Sequence, residues 1–581
     1  MATGRRTTAR RGSLSGAALL VAGLLAASAC TDDDDGSSPS TVIEPTTSAA
    51  LSESTSTSSA PTSSAPTSSG PTSSAPTSSS PDESSAGPAE LTAAIAKIES
   101  QSKYESSDWG YIAIDQETGD VLASQYPDKM FDPGSTMKSF SISAVLDAYG
   151  PDHTFRTPVY RDGTMRGDTL DGNLVLVGAG DLSFGLREEP DGSLYYENFP
   201  ALDQSYADVG APGAVEPPGD PLGVLDQFAE QVKAAGITTV NGDVVIDDRL
   251  FTPLTWPDGL ISPIWVNENY IDVKVSPGSA AGQATTVDWR PQTASYTVDN
   301  QATTVDASGQ TELQVTEPTP GNLVVTGTIA AGSAPWLVVH EISDPSAFAR
   351  TAFIEALQRA GVTVTAAPTG PNPTSLLPAA GSYQDTNKLA EHESASLAAY
   401  VELIMKVSYN RGADLMACLL AVKTGSTDCH QGIVAAVDAS TSLGVDEGEL
   451  FLFDGAGSDD RNRTTPRALA TFYRSVASTS YAETFANALP ILGKDGTLAN
   501  VLTDSPLAGK ARMKTGNRGV GTPAGQEILL GNTLAGYVEG DSGRQFVVMV
   551  AMGNMEFDSF EQFDSVTQDQ AEIVAAMQAA F

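Results

Sequence analysis

The chain has 581 residues and a formal net charge of −40, set by 72 acidic against 32 basic residues. That length is enough for two or three domains with a sizeable core. So strong an acid excess argues against nucleic acid as a partner, because a phosphate backbone requires a basic face.

Residues 1–30 read as an export segment. Arg5, Arg6, Arg10 and Arg11 precede an apolar run from Ala17 to Ala27, and Ala27-Ser28-Ala29 leads into Cys30. A run this short does not span a membrane permanently. Small residues directly before a cysteine resemble a bacterial lipobox. Two readings follow: lipidation of Cys30, which would anchor an exported protein to the outer face of the cytoplasmic membrane, or ordinary signal cleavage with Cys30 incidental. The Arg10-Arg11 pair matches a twin-arginine signal only weakly. The other two cysteines, Cys418 and Cys429, suit a disulfide in an oxidising compartment, with two buried free thiols as the alternative.

Residues 31–88 build no core. Pro61, Pro66, Pro71, Pro76 and Pro81 mark a five-residue Ser/Thr/Pro repeat, the composition of an extended stalk that would reach about 40 Å as a coil. Folded sequence begins near Ala89. The spacing predicts a helix over Leu91–Ile98 and a hairpin of strands Trp109–Ile114 and Val121–Ser124 about a Glu117-Thr118-Gly119-Asp120 turn. Pro133-Gly134 then launches a helix carrying Ser135 and Lys138, whose Met137, Phe140, Ala144 and Val145 recur on a buried face until Gly150-Pro151 stops it.

From residue 159 to about 384 the character turns to Gly/Asp turns and short apolar strands, such as Leu174–Val177, Asp243–Ile246, Tyr270–Val275 and Asn322–Thr326. Helices are predicted at Leu222–Ala235 and Phe348–Ala360. Helical spacing returns over Leu397–Val407, Ala413–Val422 and Pro466–Val476. A hairpin of Thr533–Val538 and Phe546–Met552 and a helix over Phe560–Ala580 close the chain. Residues 89–158 and 385–581 thus read as one α/β domain assembled from both ends around an inserted β-rich region, 159–384.

Ser135-Thr136-Met137-Lys138 puts a hydroxyl and an amine one turn apart on a helix face, as a serine nucleophile needs when no histidine serves as its base. With 12 lysines in a serine-rich chain, about one such match arises by chance, and Ser100-Gln101-Ser102-Lys103 is a second. Order and context choose Ser135. Ser408-Tyr409-Asn410 follows at a corner between two apolar helices, and Lys514-Thr515-Gly516 follows at the edge of the terminal hairpin. Lys423-Thr424-Gly425 reads as a helix C-cap. The histidines His153, His340, His392 and His430 show no metal spacing, and neither a metal nor a cofactor is expected.

S-x-x-K, S-x-N and K-T-G in this order are the signature of serine penicillin-binding proteins and β-lactamases. The long insert after Ser135 resembles the class C low-molecular-mass penicillin-binding proteins, the D-alanyl-D-alanine carboxypeptidase/endopeptidase family. Gly178-Ala179-Gly180-Asp181, His392-Glu393-Ser394, Asp454-Gly455-Ala456-Gly457 and Asp495-Gly496-Thr497-Leu498 are similar to segments of that family. The resemblance implies an α/β (α+β) fold of the penicillin-binding-protein/β-lactamase-like transpeptidase kind, hydrolysis of peptidoglycan stem peptides through an acyl-enzyme, and covalent inhibition by β-lactams. It implies Ser135 as nucleophile, Lys138 as base, Ser408 as proton relay, and Asn410 orienting Lys138 and the substrate. It further implies Lys514 as a second cation, Thr515 binding the terminal carboxylate, and the N–H near Asn517 beside Gly516 as an oxyanion donor. Two departures stand out: Tyr409 where the family often has Asp, and Asn517-Arg518-Gly519 followed by an expected added loop to about Gly531. A non-catalytic wall-peptide-binding lipoprotein and a β-lactamase or esterase are the alternatives.

Overall fold

The computed structural model describes residues 87–207, 213–557 and 559–581; the export segment, Cys30 and nearly all of the Ser/Thr/Pro stretch lie outside the described residues. The strand Gln545–Gly553 reads QFVVMVAMG and is buried at every position but the first. A strand apolar on both faces requires cover on both sides. Alternation along it decides what each face meets. Val547, Met549 and Ala551 join the cluster of Phe140, Val145 and Phe472, whereas Val548, Val550 and Met552 join that of Leu91, Ile95, Ile573 and Met577. The helices Lys138–Tyr149 and Pro466–Val476 therefore cover one face, and Ala89–Glu99 with Phe560–Ala580 covers the other.

The sheet order places both chain ends side by side: Val121–Gln125, Asp108–Asp115, Gln545–Gly553, Glu527–Glu539 and Ala511–Gly521, all antiparallel. A second six-stranded sheet comprises Thr363–Val364, Thr239–Val240, Thr169–Val177, Arg156–Arg166 and Lys388–Glu393, with Val244–Asp247 paired to Thr169–Val177. Gly223–Ala234 and Pro345–Arg359 supply the helical side of its core, through residues such as Phe228 and Phe353. A three-stranded and a four-stranded sheet, lying between residues 270 and 341, complete the inserted region.

The added loop expected after Gly516 is corrected. The strand Ala511–Gly521 runs straight through Asn517-Arg518-Gly519, turns over residues 522–526 and returns as Glu527–Glu539, with a bulge between Arg518 and Gly519. Met555–Phe557 then pairs with the returning end. Glycine and proline between 519 and 525 read as loop because both are depleted in strands. Here the ladder continues regardless, and Gly525, at φ 76°, supplies the turn. Two further helices, His430–Ser442 and Ala482–Ala488, also escaped the periodicity. Cys418 and Cys429 are joined by a disulfide that ties the helix Asn410–Lys423 to the residue preceding His430–Ser442.

Candidate active site

Asp132 begins the serine turn by accepting the Gly134 N–H at 3.0 Å. Gly134 has φ 47°, and a Cβ there would lie 2.5 Å from the Asn517 nitrogen, so only glycine lets the turn touch the sheet edge. Gly516 is equally constrained, since its Cβ would come within 2.1 Å of the Pro133 carbonyl oxygen. Ser135 sits in the single 3₁₀ turn Gly134–Met137 that feeds the helix Lys138–Tyr149.

Lys138 is fully buried. Its Nζ donates to Ser135 Oγ at 2.7 Å, to Asn410 Oδ1 at 2.6 Å and to the Ala456 carbonyl at 2.8 Å, so its three donors have three acceptors. Burial lowers its pKa to about 8, against the opposing pull of Asp258, Asp414 and Asp454. The Ala456 carbonyl is delivered by a loop folded on Asp454, which accepts the N–H groups of Gly457, Ser458 and Asp459 at 2.7, 3.0 and 2.6 Å.

Ser408 occupies the corner between Leu397–Lys406 and Asn410–Lys423 with φ 61°, a left-handed conformation uncommon for serine. Strain of this kind persists only where the surroundings enforce it, and it collects at functional sites. Lys514, also fully buried, donates to Ser408 Oγ and to the Thr515 carbonyl, both at 2.8 Å. Burial, and then the charge of Lys138, hold its pKa well below the ordinary lysine value. Two lysines thus approach one site from opposite sides, each hydrogen-bonded to one serine hydroxyl.

Three features were missed by the sequence reading. Asp258, from the inserted hairpin Leu254–Trp256/Gly259–Ile261, accepts the Asn410 Nδ2 at 2.8 Å, so the Asn410 amide is clamped at both ends. Its Asp-Gly dipeptide signals a hairpin turn, and nothing local signals a partner 152 positions away. Arg411 donates to the carbonyls of Glu268 and Leu260 and lies over the rings of Trp265 and Tyr270, fastening the Ser408–Asn410 corner to the insert. Thr497 meets Thr515 hydroxyl to hydroxyl at 2.9 Å, on a loop braced by Asp495, which pairs with the buried Lys406 at 2.7 Å. The Asp495–Leu498 segment resembles the family's, and nothing local in it signals the contact of Thr497 with Thr515.

Ser135, Ser408, Asn410, Thr515 and Asn517 line one cavity of about 270 Å³, together with Asp258 and Thr497. Lys138 and Lys514 stand behind it through their bonds to the two serines. Cys418 and Cys429 are not part of its lining. The two chance motifs have other work. Lys103 bonds Ser565 and pairs with Asp569, and Lys423 ends a helix that Gly425 terminates at φ 88°.

A family profile described as the D-Ala-D-Ala carboxypeptidase 3 (S13) family matches residues 91–573. The chain is 29% identical over 492 residues to a D-alanyl-D-alanine carboxypeptidase from Actinomadura sp. (strain R39), covering 80% of this chain and 81% of that one. Its structure is similar to penicillin binding protein 4 from Haemophilus influenzae, with TM-score 0.60 and 19% identity over 82% of this chain and 99% of the other. The same Haemophilus protein complexed with a β-lactam gives TM-score 0.59, with 83% and 99% covered. Those superpositions show the penicillin-binding-protein/β-lactamase-like fold. Because the profile runs from the first described helix into the last and encloses both serines, both lysines and the insert between them, the chain belongs to the D-Ala-D-Ala carboxypeptidase 3 (S13) family.

Proposed function

We propose that the protein is a serine-type D-Ala-D-Ala carboxypeptidase of peptidoglycan peptides in which Ser135 is acylated and Lys138 is its base. The observation that carries this is the 2.7 Å contact of Lys138 Nζ with Ser135 Oγ, made by a lysine excluded from water and depressed to about 8. A lysine accepts a proton only when neutral, and burial, by lowering its pKa to about 8, enlarges the neutral fraction.

Neutral Lys138 takes the Ser135 proton as Oγ attacks the carbonyl of the penultimate D-Ala, and the oxyanion accepts hydrogen bonds from the N–H groups of Ser135 and Asn517. A donor of this kind contributes about 3–4 kcal/mol. Lys514 and Ser408, bonded at 2.8 Å, then form a path by which a proton reaches the leaving amine as the C–N bond breaks. The paired hydroxyls of Thr515 and Thr497 receive the carboxylate of the leaving residue. Asn410 holds Lys138 through its oxygen and is itself fixed by Asp258. Lys138, neutral again once the amine has its proton, takes a proton from water as the water attacks the ester and passes it to Ser135 Oγ as the acyl C–O bond breaks, which restores the hydroxyl and the base. A β-lactam acylates Ser135 in the same way but leaves an amine tethered in the site, which slows hydrolysis.

Cys30 is assigned as a lipid anchor, with residues 31–88 as the tether that lifts the enzyme into the wall; intact-mass analysis of membrane-extracted protein tests this by the presence or absence of diacylglycerol on Cys30. Incubation of purified protein with a fluorescent penicillin, followed by peptide mapping, tests the central reading. The adduct is expected on Ser135, and an adduct elsewhere, or none, overturns it. Rapid nitrocefin turnover would instead indicate a β-lactamase.

A further inference from the structure

Besides Ser135, Lys138 has two acceptors, and both depend on the helix Asn410–Lys423. Asn410 presents its own Oδ1 at 2.6 Å. The Ala456 carbonyl, at 2.8 Å, belongs to a loop, so its place is set by whatever holds the residue before it. The Gly455 N–H donates to Asp414 Oδ1 at 2.9 Å, and Asp414 follows Asn410 by one helical turn on the same face. The Gly455 carbonyl accepts Ser141 Oγ at 2.8 Å, and Ser141 follows Lys138 by one turn of its own helix. Gly455 is thus gripped at its N–H and at its carbonyl by the two helices that carry Asn410 and Lys138. The approach is close: a Cβ on Gly455 would stand 2.6 Å from the Ala413 carbonyl oxygen.

Asp414 is fully buried and has no part in the mechanism above. Its Oδ2 has no hydrogen-bonding partner among the described residues. Burial, and then the charges of Asp454 and Asp258, push its pKa well above the ordinary aspartate value, so its pull on Lys138 is only as large as its ionised fraction. What it supplies in either state is an acceptor. A buried N–H without one is costly, so the loop follows the position of Asp414 Oδ1. That position matters when the proton moves. As Lys138 takes the Ser135 proton it becomes an ammonium, while Ser135 Oγ turns into an ester oxygen and a poorer acceptor. Asn410 Oδ1 and the Ala456 carbonyl then carry the new charge, through hydrogen bonds of the stronger, charge-assisted kind.

We infer that Asp414 is a positioning residue for acylation: by accepting the Gly455 N–H it sets the Ala456 carbonyl against Lys138, and its own charge is secondary. The inference rests on the function proposed above, in which Lys138 is the base. Acceptor and charge make separable contributions, because an asparagine at 414 keeps the first and removes the second, whereas an alanine removes both.

The test uses full-length protein and a chromogenic penicillin at saturation, with the acylation rate read on the pH plateau above the Lys138 midpoint and Tm measured alongside. Asp414→Ala is expected to slow acylation about 10- to 100-fold, the scale of one hydrogen bond to a charged group. Asp414→Asn is expected to recover most of that loss. An asparagine variant as slow as the alanine one overturns the inference, because the charge is then what counts. An alanine variant that acylates at the full rate below its own Tm also overturns it, because Asp414 then serves stability alone. Should Asp414→Ala not fold, Ser141→Ala releases Gly455 from its other side; slowed acylation there supports the inference and an unchanged rate overturns it. The unaltered protein separates the two failures. If it forms no penicillin adduct on Ser135, the proposed function falls and this inference with it; if it labels, the variants decide the inference alone.

Discussion

Asp258 and Asn410 lie 152 positions apart, and the carboxylate of the first holds the amide of the second at 2.8 Å. The same amide presents its oxygen to Lys138 at 2.6 Å. One hydrogen-bonded chain therefore runs from the inserted hairpin to the base of the reaction. Asp258→Asn removes the charge from that chain and the fixed orientation of Asn410. Penicillin acylation is expected to slow about 10- to 100-fold, in proportion to the ~1.5–3 kcal/mol of a hydrogen bond to a charged group. Because Asp258 raises the Lys138 pKa, the pH midpoint of the remaining acylation is expected to move to the acid side. A variant with wild-type rate and midpoint would uncouple the insert from catalysis.

The pH profile of the unaltered protein is the plainest check on Lys138. Burial lowers its pKa from 10.5 to about 8, and only the neutral amine accepts the Ser135 proton. The acylation rate is expected to rise about tenfold per pH unit below that value and to level above it. Rapid-mixing kinetics with a chromogenic penicillin between pH 6 and 10 reads the midpoint. A flat profile across that range removes Lys138 as the base.

The elements nearest the catalytic serine were legible because local pattern and tertiary role agree there. The turn at Pro133-Gly134, the buried face of Met137, Phe140 and Val145, and the corner at Ser408 all follow from short-range rules. The strand through Asn517 was misread for the opposite reason. Gly519, Gly521 and Pro523 carry a loop signal, and only pairing with Glu527–Leu529 overrides it, through a register that no local rule contains. Asp258 was invisible for a related cause. Its importance is a contact across 152 positions, and in sequence it is an ordinary turn aspartate.

Gly134 offers a test of the close approach between the serine turn and the sheet edge. In Gly134→Ala the new Cβ would stand 2.5 Å from the Asn517 nitrogen at a residue with φ 47°. The left-handed backbone alone costs about 1–2 kcal/mol for an alanine, and the contact adds to it by forcing the turn away from Asn517. Loss of penicillin labelling with a depressed Tm is the expected outcome. Full labelling would mean that the turn and strand separate without affecting the oxyanion site.

The disulfide closes a loop with a sequence separation of 11 between two helices of the helical face. The double variant Cys418→Ser/Cys429→Ser is expected to lose about 2–3 kcal/mol, the chain-entropy scale for a loop of that length. Since neither residue lines the cavity, acylation below the new Tm should keep its rate. Denaturant unfolding gives the first quantity and penicillin kinetics the second. A change in acylation equal to the change in stability would show that the helix Asn410–Lys423 depends on the bridge for its alignment.

Lys406 reaches the site only through other residues. Its Nζ donates to the Leu489 carbonyl at 2.9 Å and to Asp495 at 2.7 Å, while Asp495 accepts the Ile491 N–H at 2.7 Å and so folds the loop that holds Thr497 against Thr515. Lys406 is almost fully buried, and Lys406→Met would leave Asp495 without its counter-charge. Breaking a buried pair from one side typically costs ~3–5 kcal/mol; with Asp495 23% exposed, a loss nearer ~2–3 kcal/mol is expected. The diagnostic outcome lies in the kinetics. Displacement of Thr497 weakens the grip on the leaving residue's carboxylate, so KM for a D-alanyl-D-alanine peptide should rise more than kcat falls. Lys406→Arg, which keeps the charge, should recover part of that loss. A fall in kcat alone would place the effect at the Ser408 corner, two residues further on, and not at Thr497.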